Sequence, residues 1–68
     1  MIAKRIIDAV MKTCKVQRDE AREMIGMEME KLCELSDMGQ LRMEDFNLAC
    51  AHLGLTSEYE SFFMENLD

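Results

Sequence analysis

The sequence predicts an all-α protein, folded as a compact orthogonal bundle of about four short helices in one domain spanning residues 1–68. Three observations support this prediction. Apolar residues recur with the 3.6-residue period of an α-helix along the whole chain. The chain contains no proline, and its breaks are short turns that suit neighbouring helices. A chain of 68 residues is also long enough for only one domain.

The first predicted helix is apolar over most of its circumference, which indicates deep burial. Its apolar positions are Ile2, Ala3, Ile6, Ile7, Ala9, Val10 and Cys14. Lys4, Asp8 and Lys15 form the remaining polar edge. The segment has no uninterrupted apolar run, so we expect neither a signal peptide nor a membrane span. A mitochondrial presequence shares its basic, amphipathic character and is the alternative.

The second predicted helix begins after Gln17 and runs to about Leu35. Gln17 is a weak N-cap, and Glu20 occupies the capping-box position three residues later. The inner side of the helix is formed by Ala21, Met24, Ile25, Met29, Leu32 and Leu35. Gly39 is then well placed for the left-handed residue that commonly follows a helix.

Residues 40–42 form a short extended link to a third predicted helix, which ends at Gly54. The inner face of this helix consists of Phe46, Ala49, Cys50 and Leu53. Ser57 and Glu60 have the spacing of a capping box and predict the start of a fourth helix. The side chains that this helix directs inward are Tyr59, Phe62, Phe63 and Leu67.

Residues 34–45 contain a glycine, an aliphatic residue two places later and a final carboxylate before Phe46. With Gly39 as the sixth position, the segment 21–55 resembles an EF-hand, a helix–loop–helix that binds calcium. Its ligand positions hold Glu34, Ser36, Met38, Gln40, Arg42 and Asp45. A thioether and a guanidinium are poor ligands for a hard cation. We therefore expect a glycine-broken turn and no metal, with a degenerate EF-hand-like cation-binding module as the alternative.

Residues 49–63 place the small Cys50 four residues before Gly54, followed by an aliphatic residue and a hydroxyl. This spacing resembles a helix-turn-helix. The second helix would present Glu58, Glu60 and Glu65, which the phosphate backbone repels. DNA binding through this face is therefore disfavoured. A nucleic-acid-associated role remains a further alternative through the basic edge of the first helix, where the cations are Lys4, Lys12 and Lys15.

The net charge of −6 is distributed unevenly. Residues 1–18 carry five bases against one acid, whereas one base stands against eight acids from Cys33 onward. Opposite-signed ends can neutralise each other within the fold, pair with a second copy, or bind a basic partner. The three cysteines are widely spaced and odd in number, so we expect reduced thiols and a cytoplasmic protein.

The sequence carries no recognisable catalytic constellation. His52 is the only histidine, and Cys50 lies two residues away, on the opposite face of a helix. A metal site assembled from His52 and the three cysteines has no supporting spacing. We therefore expect no enzyme activity, no cofactor and no small-molecule substrate.

Glu28 lies within the apolar face of the second predicted helix, so it is a candidate buried charge. A buried carboxylate needs a partner, and the candidates are Arg5, Arg42 or a residue of another molecule.

Eight methionines are the strongest compositional anomaly. Four large apolar residues fall off the predicted inner faces: Met27, Met38, Leu48 and Met64. Flexible, exposed apolar side chains are typical of protein-binding surfaces. Our leading hypothesis is therefore a small acidic intracellular interaction module that regulates or inhibits a larger protein, or self-associates. These four residues would make the contacts, and the carboxylates of Glu58, Glu60 and Glu65 would steer the encounter.

Overall fold

The computed structural model describes residues 4–66, and within them the protein is an all-α bundle. Its four helices are α1 (Lys4–Cys14), α2 (Arg18–Asp37), α3 (Met43–His52) and α4 (Glu60–Glu65). A single 3₁₀ turn, Ser57–Tyr59, precedes α4. The predicted fold class is confirmed. The predicted inward positions Ile2, Ala3 and Leu67 lie outside the described residues.

One hydrophobic core joins the four helices. In this core α1 packs on α2, and α3 packs on α2, on the 3₁₀ turn and on α4. The buried apolar side chains are Ile6, Ile7, Val10, Ala21, Ile25, Leu32, Phe46, Ala49, Cys50, Leu53 and Phe63. These residues come from the predicted inner faces, because helical periodicity alone decides which side of each helix is apolar.

The turn between α1 and α2 is tied to the end of α3. Lys15 has a φ of 57°, so the residue expected on the polar edge of the first helix instead ends that helix in a left-handed conformation. The Cys14 thiol donates to the Leu53 carbonyl oxygen at 3.3 Å. Gln17 is the N-cap of α2, but its side chain makes no capping bond, so the predicted capping box does not form.

The chain enters α3 through a carboxylate cap. The Arg42 backbone N–H donates to Asp45 Oδ2 at 2.8 Å, which satisfies a donor that the helix itself leaves free. This bond explains why an arginine, which has no acceptor, can stand at the helix start.

The start of α4 differs from the prediction. Ser57 is the first residue of the 3₁₀ turn, the extended Thr56 precedes it, and neither Thr56 nor Tyr59 forms a side-chain cap. The Glu60 side chain is drawn to α3, where Asn47 Nδ2 donates to it at 3.2 Å. The predicted capping box is therefore wrong, because a tertiary contact holds the carboxylate that would have closed it. The inward direction of Phe63 is as predicted, and its ring meets that of Phe62 edge to face.

Candidate functional site

A shallow groove of about 100 Å³ runs between α2 and α3. From α2 it is lined by Glu28, Lys31 and Leu35, and from α3 by Asp45, Leu48 and His52. Each set has spacings of three and four residues, which place its members on one side of their helix. The groove therefore follows from two helical stripes that the packing of α2 on α3 brings together.

Glu28 is the buried polar residue of this groove, with only 9% of its surface exposed. Its Oε1 lies 3.2 Å from His52 Nδ1, and its Oε2 lies 3.6 Å from Lys31 Nζ. Two cationic or donor groups offset the cost of removing the carboxylate from water. The carboxylate is therefore neutralised inside the fold.

Those partners are not the ones that the sequence suggested. Arg42, one of the two expected partners, forms an ion pair with Glu44 at 3.7 Å instead. Arg5, the other, lies on α1 and lines a different groove. Lys31 is one helical turn from Glu28, and the register of α3 brings His52 over the same carboxylate.

Three large apolar side chains remain exposed on the side of the molecule that carries the α2–α3 groove, and one of them, Leu48, lines the groove itself. Met27 and Met38 are 59% and 60% exposed, and Leu48 is 50% exposed. Met27 lies on α2 four residues before Lys31, which lines the groove, and Met38 is the C-cap that follows α2, seven residues after Lys31. We call Met27, Met38, Leu48 and the α2–α3 groove together the α2–α3 surface.

Carboxylates border this surface on both sides. Glu23, Glu30 and Glu34 are exposed on α2, one helical turn from Met27 or Met38. On α3, Glu44 and Asp45 precede Leu48 by one turn. Within residues 4–66, none of the three α2 glutamates forms an ion pair. The cations next to the surface, Lys31 and Arg42, are held by Glu28 and Glu44.

A second groove, of about 270 Å³, lies between α1 and the C-terminal helical segment. Arg5, Glu58, Phe62 and Glu65 are among the residues that line it. The structure thus divides the residues that the sequence analysis combined into one partner-binding set. Leu48 lines one groove and Met27 and Met38 belong to the same helical segments, whereas Glu58 and Glu65 line the other groove.

Met64 lies on α4, and α4 meets α3 through the bond between Glu60 and Asn47. His52, which faces α2, is five residues from Asn47 and therefore on a different flank of α3. Met64 belongs with the C-terminal helical segment and not with the α2–α3 surface. One exposed apolar residue, Met43, is absent from the predicted set although it is 65% exposed. Met43 is the first residue of α3 and lies three residues before the buried Phe46, on the same side of the helix, so helical periodicity gave no signal of its exposure.

The segment that resembles a calcium loop has other structural roles. Because α2 continues to Asp37, Glu34 and Ser36 lie on a helix, where they cannot both turn toward one ion. Asp45 caps α3 instead. Within residues 4–66, no group of three or more His, Cys, Asp or Glu side chains is arranged to hold a metal ion. Cys33 is exposed and Cys50 is buried, while Cys14 bonds to a backbone carbonyl.

The two features suggested for nucleic-acid binding are separate in the structure. In the helix-turn-helix resemblance, α4 is the helix that would read the bases. It has only six residues, and one of its glutamates, Glu60, accepts a hydrogen bond from Asn47. Lys4 and Lys12 are exposed on α1, whereas Lys15 stands in the following turn.

Comparison with protein-family models, with curated proteins and with solved structures finds no significant match. No helix between Lys4 and Asn66 combines the length and the apolar character that a bilayer crossing requires. The candidate site is therefore defined by the geometry of this chain, and the α2–α3 surface is the region that combines exposed apolar side chains with the buried carboxylate of Glu28.

Proposed function

We propose that this protein is an interaction module that docks a larger protein on the α2–α3 surface. The observation that carries the proposal is that Met27, Met38 and Leu48 are each at least half exposed on the two helical segments that form the α2–α3 groove, with Leu48 in the groove itself. Exposed apolar side chains gathered on one side of a protein and bordered by polar residues are typical of interaction sites. Methionine also adapts its shape to a partner at little conformational cost.

The chemistry of the groove favours a macromolecule over a small substrate. Its volume of about 100 Å³ is well below the roughly 300 Å³ at which small-molecule sites begin. Its buried carboxylate, Glu28, is already satisfied by His52 and Lys31. A partner that covers the groove therefore meets apolar side chains and a neutralised ion pair, with no unpaired buried charge to compensate.

The module acts by occupying a surface of its partner, as a regulator or inhibitor. A partner contact centred on three apolar side chains with a polar border has the organisation of an ordinary protein interface. The Met64 side of the molecule, with the carboxylates of Glu58 and Glu65, is left outside this contact.

The test is affinity capture with matched variants. A tagged protein is incubated with lysate of its source cells, with and without nuclease, and bound proteins are identified by mass spectrometry. The variant Met27→Gln/Leu48→Gln removes two contacts, and Met43→Gln/Met64→Gln is the control with the same chemical change elsewhere. We expect the wild type and the control variant to capture one partner in stoichiometric amount. The Met27→Gln/Leu48→Gln variant should capture at least about tenfold less of that partner.

Equal capture by both variants would refute the α2–α3 surface as the docking site. Capture that disappears with nuclease would favour the alternative of nucleic-acid binding through the basic edge of α1. Recovery of the bait alone, in several copies, would indicate self-association in place of a separate partner. Circular dichroism of each variant establishes that the fold is retained.

A further inference from the structure

The charges around the α2–α3 surface indicate which kind of partner it fits. Glu23, Glu30 and Glu34 are exposed one helical turn from Met27 or Met38, and Glu44 and Asp45 lie in the first turn of α3. Arg42 pairs with Glu44 and Lys31 pairs with Glu28, so the negative potential of the border comes chiefly from Glu23, Glu30 and Glu34, which form no ion pair within residues 4–66. A complementary partner has an apolar centre flanked by positive charges.

A second copy of this chain does not provide that combination. The exposed cations of α1 and the following turn have no exposed apolar centre beside them, because Ile6, Ile7 and Val10 are buried in the core. Arg18 and Arg22, which are exposed at the start of α2, lie at least five residues from Met27 and on another side of the helix. The chain also carries a net charge of −6, so two copies repel each other at long range.

We infer that the occupant is a basic amphipathic helix of a partner protein, an inference that rests on the proposed function. Met27 on α2 and Met38, the C-cap of α2, are 11 residues apart, which corresponds to about 16 Å along the helix axis. About three turns of a second helix span that distance, with apolar residues at the i, i+4, i+7 and i+11 positions. Lysine or arginine on its flanks then faces the bordering carboxylates.

Three synthetic peptides of about 16 residues test this inference. The first has leucine at the four anchor positions and lysine on the flanks, and the second replaces every lysine with glutamate. The third has the composition of the first in an order that creates no apolar face. Fluorescence anisotropy against the whole protein measures the dissociation constant of each peptide at low and at raised salt.

The first peptide is expected to bind at least about tenfold more tightly than either control, and its affinity is expected to fall as salt is raised. Equal binding of the lysine and glutamate peptides would overturn the charge requirement. Equal binding of the first and third peptides would overturn the amphipathic helix and leave simple charge attraction.

Charge-reversal variants locate the effect on the molecule. Glu30→Lys/Glu34→Lys changes the border, and Glu58→Lys/Glu65→Lys makes the same change in charge at the other groove. We expect the first pair to weaken binding of the basic peptide at least about fivefold more than the second. Equal weakening by both pairs would show that only net charge matters, which would refute the assigned surface.

The outcomes separate this inference from the proposed function. If affinity capture depends on Met27 and Leu48 but the basic peptide does not bind preferentially, the docking surface stands and its occupant has another chemistry. If the basic peptide binds at the α2–α3 surface but capture ignores those residues, the peptide site stands and the proposed cellular role fails.

Discussion

The ends of α2 and α3 are built alike and packed differently. Gly39 and Gly54 follow them with φ values of 69° and 70°. After each glycine, a backbone N–H closes the turn at 2.8 Å, from Gln40 to Leu35 and from Leu55 to Cys50. This is the Schellman arrangement, which uses a left-handed residue to satisfy carbonyls at a helix end.

The surroundings of the two glycines differ. A Cβ atom at Gly54 would lie 2.5 Å from Thr13 Cγ2, whereas a Cβ atom at Gly39 would meet nothing within 4 Å. The bond from Cys14 to Leu53 also joins the Gly54 turn to the end of α1. The Gly54 turn is thus a packed corner of the fold, while the open Gly39 turn follows Met38 at the edge of the α2–α3 surface.

The largest contrast is expected in thiol reactivity. Cys33 is exposed near the end of α2, whereas Cys50 is buried at the end of α3. Burial, reinforced by the nearby Glu60 carboxylate, also raises the pKa of the Cys50 thiol and disfavours its reactive thiolate. Iodoacetamide should modify Cys50 at least about a hundredfold more slowly than Cys33, because Cys50 needs the fold to open.

The three cysteines fall on separate tryptic peptides, so a time course followed by mass spectrometry resolves them. In denaturant, which serves as the control, the rates should converge. Similar rates in the native protein would mean that the end of α3 opens so readily that Cys50 is as accessible as the exposed Cys33.

The substitution Gly54→Ala should produce the largest change in stability. It combines a left-handed alanine with a close contact to Thr13 and should cost about 2–4 kcal/mol of unfolding free energy. Urea denaturation measures the loss. Adding the substitution Thr13→Ala removes the Cγ2 methyl group and leaves the Cβ atom of residue 13 in ordinary van der Waals contact. The double variant should therefore recover about 1–2 kcal/mol of the lost unfolding free energy. No recovery would show that Thr13 does not restrict this turn.

The substitution Gly39→Ala should cost less, about 1–2 kcal/mol, because only the left-handed conformation is penalised. Gly39→Asn should cost still less, since asparagine tolerates this conformation better than alanine. The same urea experiment measures both variants. A loss at Gly39 as large as that at Gly54 would remove the distinction between an open turn and a packed corner.

The smallest effect is expected from calcium. Asp45 is occupied by the Arg42 backbone N–H, and Glu34 lies on a helix, so the Gly39 turn offers no converging ligands. Addition of millimolar calcium should leave the amide chemical shifts of Glu34, Ser36 and Asp45 unchanged in NMR spectra. Saturable shifts at all three would restore the degenerate EF-hand as the better description of this segment.

Sequence reasoning succeeded where the deciding interactions are short-range. The apolar period located α1, α2 and α3 and their inner faces, from Ile6 and Val10 to Leu53. It also identified residues that remain outside the core, among them Met27 and Met38. It failed at the start of α4, because Glu60 is held by Asn47, 13 residues earlier in the chain.

The sequence by itself determined the number of helices, the side of each helix that is buried and the glycines that end two of them. Periodicity and backbone dihedral preferences act over a few residues, so they can be read along the chain. Only the tertiary structure decided that Glu28 pairs with His52, 24 residues away, and that Lys31 and Leu48 line the same groove. Those neighbours depend on how rigid helices pack against one another, which the whole core decides together.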